Sequence, residues 1–181
     1  MHCYGYGKTA LNHASGNGHC NLVDFLIQNG AEVNERDYFL KTPLHCASLE
    51  GHHDVVQVLI QNGARVNASK EFESTPLNYA SWKGYPDVVQ VLIQNGAEVN
   101  ERDYFLKTPL HWASEFGHYE VVQVLIQNGA EINASNEDQK TSLHNASKGG
   151  HHDVVQALLQ NGAKVNARDK CQVTPLHCTV G

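Results

Sequence analysis

An all-α helical-repeat solenoid with short hairpin fingers is the fold class this sequence predicts, on three observations. Thr9, Thr42, Thr75, Thr108, Thr141 and Thr174 recur every thirty-three residues without insertion. They open the phrases TALNHA, TPLHCA, TPLNYA, TPLHWA, TSLHNA and TPLHCT, and all but the last are followed nine residues later by glycine and then by Asn-Gly-Ala. Between those punctuation marks the apolar residues fall at helical spacing. A unit copied in register stacks on its neighbours, so function belongs to a shared surface rather than to a pocket.

The second copy, from Thr42 to Lys70, shows how each element is specified. Thr42 suits an N-cap, Pro43 suits the first helical position, where its missing N–H has no partner to lose, and Leu44 and Ala47 share a face. Gly51 stops this inner helix in an αL conformation, as Gly18, Gly84, Gly117 and Gly150 do in the other copies. His53-Asp54 begins the outer helix, with Asp54, Asp87, Glu120 and Asp153 favoured by the positive end of the helix dipole. Val55, Val56, Val58, Leu59 and Ile60 give a broad apolar face, which fits a helix packed on its partner and on the copies before and after it. Gln57 and Gln61 are left for solvent, Asn62-Gly63 closes the helix, and Val66-Asn67 leads into a hairpin-like connection ending at Thr75. Helices this short are marginal alone, so stability must come from nearest-neighbour interfaces. At a rise of about 8 to 10 Å per copy, five copies would make a rod roughly 45 to 50 Å long.

The intact T-P-L-H-x-A phrases at Thr42–Ala47 and Thr108–Ala113 resemble the ankyrin repeat. The resemblance covers practically the whole chain as one domain, 1–181, with copies near 4–36, 37–69, 70–102, 103–135 and 136–168 and a partial one at 169–181. It implies a β-turn followed by two antiparallel helices, and a concave face that binds proteins. It also implies that the imidazoles of His45, His111, His144 and His177 bond the threonine hydroxyl and nearby backbone, with Asn12 and Asn78 making similar bonds. The family's hairpin glycine is present as Gly7 but replaced by Leu40, Glu73, Leu106, Gln139 and Gln172. If that position needs φ > 0, the replacements cost free energy. Asn34, Asn67, Asn100, Asn133 and Asn166, each eight residues after a leucine, are similar to sites of asparaginyl hydroxylation in ankyrin repeats; turn hydrogen bonding is the alternative role.

Composition narrows the function classes. The formal charge is −6 with thirteen dispersed Lys and Arg, which argues against nucleic acid and anionic lipid as partners. No apolar run approaches the roughly 18 residues of a membrane span, and Met1-His2-Cys3-Tyr4 lacks the order of a signal peptide, so the expected address is cytosol or nucleus. Cys3, Cys20, Cys46, Cys171 and Cys178 are odd in number, form no CxxC and fit free thiols. His19, His52, His118 and His151 recur after the inter-helix glycine, but copies a helix-packing distance apart cannot both hold a zinc at about 2.1 Å. The neighbours His52-His53 and His151-His152 point in different directions on a helix. Cys171 and Cys178 beside His177 have no orienting acid in phase and no oxyanion-hole signature. The expectation is therefore no catalytic residue, no cofactor and no bound metal.

The positions that differ among copies carry the functional signal, because stacking repeats the internal residues and leaves hairpin tips and the exposed side of the inner helix free. The candidate partner-binding residues are Tyr38, Phe39 and Phe72 with Tyr104 and Phe105 at the tips, and Leu49, Trp82, Trp112 and Phe116 on inner helices, with Tyr79 and the tip leucines Leu40 and Leu106 nearby. Some of these rings could instead pack on neighbouring fingers. Lys41, Glu50, Lys83, Lys107 and Glu115 are expected to form a mixed-charge rim that tunes orientation. Leu26–His45 and Leu92–His111 are one identical twenty-residue string, which duplication of a two-copy unit explains, the alternative being a surface that reads a partner repeating at about twice the helix-packing rise. The expected function is non-catalytic binding of a protein partner; the alternative is a spacer segment of a longer ankyrin array with no ligand of its own. Neither end carries a clearly polar cap, which leaves self-association possible.

Overall fold

The structure, a computed structural model, describes residues 8–69 and 74–179, without the side chains of residues 178 and 179. Five helix pairs follow in order: α1 (Ala10–Gly16) with α2 (Cys20–Gln28), α3 (Pro43–Glu50) with α4 (His53–Gln61), and α5 (Pro76–Lys83) with α6 (Pro86–Gln94). The series continues with α7 (Pro109–Glu115) and α8 (Tyr119–Gln127), then α9 (Ser142–Gly149) and α10 (His152–Gln160), and a 3-10 turn over Pro175–Thr179 opens the sixth copy. Each inner, odd-numbered helix packs on the next inner helix and on its own outer helix, and each outer helix packs on the next outer one. This is an all-α repeat solenoid; among the described residues the one β feature is an isolated bridge between Ser135 and Thr141.

The core is a set of columns. Leu44, Ala47, Val56 and Leu59 are buried in the second copy, as are Leu77, Ala80, Val89 and Leu92 in the third and Leu110, Ala113, Val122 and Leu125 in the fourth. A fully buried leucine of this kind is worth about 1.5 to 3 kcal/mol.

Threonine starts each inner helix as its sequence predicts. Thr42, Thr75, Thr108 and Thr141 hold extended backbone and form capping boxes with His45, Asn78, His111 and His144. The Thr108 N–H donates to Nδ1 of His111 at 3.1 Å, which leaves the proton of the neutral ring on Nε2. That N–H donates across to the Lys140 carbonyl at 3.1 Å, and His144 reaches Val173 O at 3.2 Å in the same way. Asn12 substitutes for the imidazole by donating from Nδ2 to Lys41 O at 3.1 Å. At Asn12, His111 and His144 the residue that caps its own helix therefore also fastens the next copy, whereas Asn78 bonds only Thr75 and leaves its Nδ2 buried without a partner among the described residues.

The inter-helix glycine is required twice over. Gly51 closes α3 at φ 78°, and a Cβ on it would stand 2.7 Å from the ring of Tyr85 in the next copy. Two inner helices stop slightly earlier, α1 at a cap on Asn17 and α7 at a cap on Phe116, yet Gly18 keeps its positive φ and lies beneath His52. The overlying ring is itself bonded: Nε2 of His52 donates to Gly16 O at 3.1 Å, that of His118 to Trp82 O at 2.9 Å, and that of His151 to Glu115 O at 3.0 Å.

The fingers do need φ > 0 where the glycine is missing. Leu40, Leu106, Gln139 and Gln172 have φ of 59°, 54°, 61° and 63°, a conformation that costs a non-glycine residue about 1 to 2 kcal/mol. Local bonds offset the cost. In the second finger the Asp37 N–H donates to Lys41 O and the Leu40 N–H to Asp37 O, while Asp37 Oδ1 accepts from the N–H groups of Phe39 and Lys41 at 2.9 Å each. Gly7 and Glu73 lie outside the described residues.

Burial holds the pKa of His45 and of His111 down at about 4, from an ordinary 6.5, by desolvating the imidazolium, with repulsion from Arg36 and Lys41 at the first and from Lys107 and Arg102 at the second. Between pH 6.5 and about 4 the unfolded chain takes up protons on both rings and the folded chain does not. Stability must therefore fall as pH drops through that window, by at most about 1.4 kcal/mol per unit for each histidine. His45→Asn with His111→Asn, the residue already used at Asn12 and Asn78, is expected to flatten the dependence of denaturant midpoint on pH between 7 and 4. An unchanged slope would remove these two rings as its cause.

Candidate protein-interaction surface

The aromatic residues on the inner helices form one ridge across the third and fourth copies. Ring centroids of Trp82 and Trp112 are 6.2 Å apart, those of Trp82 and Phe116 also 6.2 Å, and Trp112 stacks on Phe116 at 6.4 Å. Tyr79 extends the ridge toward the second copy, 6.5 Å from Trp82 and 6.0 Å from His45. Phe116 is exposed, while Tyr79, Trp82, Trp112 and Leu49 are half-buried because one face of each rests on the scaffold. Tyr38, Phe39, Tyr104 and Phe105 are exposed at the finger tips, Tyr38 to 81% and Tyr104 to 72%. Tyr104 and Phe105 meet edge to face at 5.5 Å, and the tip leucines Leu40 and Leu106 are half-buried. Phe72 lies outside the described residues.

Ridge and finger are joined by a bond that residue spacing alone does not reveal. The indole Nε1 of Trp112 donates to Asp103 Oδ2 at 2.8 Å, while Oδ1 of the same carboxylate holds the N–H groups of Phe105 and Lys107. The buried Asp103 thus ties the base of the exposed tip to the ridge. Asp37 makes the same finger bonds, but Cys46 stands where the fourth copy has Trp112, and the buried Asp37 Oδ2 has no partner. The twin strings end one residue before this difference.

Three of the lysines expected at the rim lie over ring faces. Lys41 lies over Tyr79 at 4.7 Å from the ring centroid, Lys83 over Trp82 at 4.4 Å and Lys107 over Trp112 at 3.8 Å. Lys107 also bonds Glu115 at 2.7 Å. Ammonium groups seated on ring faces hold the aromatic side chains in place and change what a partner meets there.

Other residues with chemical potential are committed to structure. His45, His111 and His144 accept at Nδ1 from capping threonines, and His52, His118 and His151 donate to the preceding copy. No three His, Cys, Asp or Glu side chains converge into a metal-binding group among the described residues. Cys20, Cys46 and Cys171 are free thiols, burial pushes the Cys46 thiol pKa up, and His177 bonds Thr174 Oγ1 at 2.8 Å. The Cys178 side chain lies outside the described atoms. Asn34, Asn67, Asn100 and Asn133 each bridge two copies: Asn67 donates to Gly96 O at 2.9 Å and accepts from the Glu98 N–H at 3.0 Å, and the others repeat the pattern.

A family model for ankyrin repeats in many copies matches residues 83–126, 110–159 and 146–180, over half the chain, and models for three copies and for one match 39–103 and 6–35. The chain is an ankyrin-repeat protein. No curated protein sequence matches it. Ankyrin repeats are generally protein–protein interaction modules and generally non-catalytic. No described helix is long and apolar enough to cross a membrane.

The orphaned Asp37 gives this ankyrin stack a simple test. Cys46→Trp is expected to rebuild the indole–carboxylate bond and raise stability by about 1 to 2 kcal/mol, whereas Trp112→Phe, which strands Asp103 Oδ2, should cost about 1 to 3 kcal/mol. Urea denaturation of both variants measures this. A neutral Trp112→Phe would mean the bond carries no weight.

Proposed function

We propose that this ankyrin stack is a non-catalytic binding module that grips a protein partner with its concave face and fingers. The observation that carries the reading is the continuous ridge of Tyr79, Trp82, Trp112 and Phe116, edged by the exposed tips Tyr38, Phe39, Tyr104 and Phe105. Aromatic anchors of this type supply most of the affinity at interfaces, and Leu49 adds apolar area at one end. The ring contacts, the Trp112–Asp103 bond and the seated lysines keep the ridge rigid, so docking sacrifices little side-chain freedom. An intracellular setting, cytosolic or nuclear, belongs to the proposal and is supported by the free thiols Cys20, Cys46 and Cys171.

Trp82→Ala combined with Phe105→Ala is expected to leave the circular dichroism spectrum unchanged and to weaken capture of the partner from the native source at least about tenfold. Undiminished capture by the double variant would sink the ridge as the binding site.

A second reading, assembly through the ends of the stack, is favoured by their apolar exposure. Leu22 is 44% exposed, whereas its counterparts Val55, Val88, Val121 and Val154 are 0 to 1% exposed. At the other end Leu143, Val155, Leu159, Val165 and Leu176 line an apolar hollow of about 290 Å³. End-to-end contact between two chains would cover both faces. Sedimentation velocity should then show concentration-dependent association that Leu159→Glu with Leu176→Glu abolishes; a monomer at every concentration would dismiss it.

A further inference from the structure

We infer that the partner segment held by this face is acidic, with an apolar centre on the aromatic ridge and carboxylates on either side; the inference rests on the concave-face reading above. Its basis is a separation of charge that the net value of −6 conceals. Among the described residues every lysine but Lys164 lies on a finger or an inner helix, namely Lys8, Lys41, Lys83, Lys107, Lys140, Lys148 and Lys170. All four arginines, Arg36, Arg65, Arg102 and Arg168, lie in the connections that leave the outer helices. The outer helices themselves carry Asp24, Asp54, Asp87, Glu120 and Asp153.

Among the described residues the acids on the lysine side are mostly occupied; Glu71 and Glu73 of the third finger lie outside them. Asp37, Asp103 and Asp169 are buried and accept finger N–H groups, Glu115 holds Lys107, and Asp138 stands 3.9 Å from Lys140. Glu50 and Glu137 are exposed there as well. Lys8, Lys41, Lys83 and Lys148 have no carboxylate within ion-pair distance among the described residues. Lys41 and Lys83 are moreover held over ring faces, so their ammonium groups are oriented before a counter-charge arrives.

These cations are arranged around the ridge in a pattern. A polar hollow of about 430 Å³ between the first and second copies is lined by Lys8, Asn12, His13, Lys41 and Glu50. A second, of about 410 Å³ between the fourth and fifth copies, is lined by Lys107, Glu115, Asn136, Asp138, Lys140 and Lys148. The ridge lies between them. Three copies at about 8 to 10 Å each separate the hollows by roughly 25 to 30 Å, a span that about eight residues of extended chain cover. Scattered carboxylates suit this face better than a phosphate backbone does, because Glu50, Glu137 and Asp138 stand among the lysines and would repel a continuous line of charge.

The test uses the whole chain, and its two tryptophans, Trp82 and Trp112, supply the signal because both belong to the ridge. Tryptophan-free peptides carrying a central Leu-Phe-Leu between two pairs of glutamates about eight residues apart are titrated, beside versions with glutamine or lysine in place of glutamate. The glutamate peptide is expected to bind at least about tenfold more tightly than the glutamine peptide, with the lysine peptide weakest, and the advantage should collapse in about 0.5 M salt. Lys83→Glu with Lys148→Glu, both exposed positions, should reverse the order of the glutamate and lysine peptides while leaving circular dichroism intact. Equal binding of the glutamate and glutamine peptides overturns the acidic partner and leaves the aromatic ridge standing. Tighter binding of an oligothymidylate than of the glutamate peptide also overturns it, and fluorescence that no peptide moves defeats both readings.

Discussion

Each copy of this stack leaves hydrogen-bonding groups and apolar surface for the next copy to complete. His111 donates to Lys140 O, His118 to Trp82 O, and Asn100 both donates to Gly129 O and accepts from the Glu131 N–H. A net intramolecular hydrogen bond is worth about 0.5 to 1.5 kcal/mol, but the bridges of Asn34, Asn67, Asn100 and Asn133 recur from copy to copy and act together with the leucine, alanine and valine columns. Seven- to nine-residue helices exist here because their interfaces exist.

That dependence on the neighbour explains what the inner helix can spare. The side carrying Leu44 and Ala47 is fixed by stacking, whereas the column of His13, Cys46, Tyr79, Trp112 and Asn145 takes a different residue in each of the first five copies. Variation in the column has local consequences. With Trp112 the finger carboxylate of Asp103 is satisfied by an indole N–H; with Cys46 the identical finger leaves Asp37 Oδ2 buried and unpaired. The same finger sequence occurs twice, and of the two only the fourth copy completes it. Ordered tips, a rigid ridge and seated lysines therefore converge on the middle of the stack, where an interaction surface has most to gain from being preformed.

The finger turns show a related balance. Leucine and glutamine at φ near 60° are disfavoured, and the stack tolerates them because an Asp or Asn side chain at the start of each turn fixes the loop through two N–H groups. Glycine would relieve the backbone, but it would remove the half-buried apolar side chains that Leu40 and Leu106 place in the fingers.

The sequence by itself determined the period, the helix starts at threonine and proline, the stops at or beside glycine, the family and the exposed rings at the finger tips Tyr38, Phe39, Tyr104 and Phe105, because caps, turns and amphipathic faces are written within a few residues of one another. It also indicated that Leu40, Leu106, Gln139 and Gln172 depart from a position that prefers glycine. Only the tertiary structure decided how residues about thirty positions apart meet: that the recurring histidines and asparagines fasten one copy to the next, that Trp112 reaches Asp103, and that Lys41, Lys83 and Lys107 sit on ring faces instead of around them. Those contacts depend on side-chain direction across a packed interface, and spacing along the chain carries no record of it.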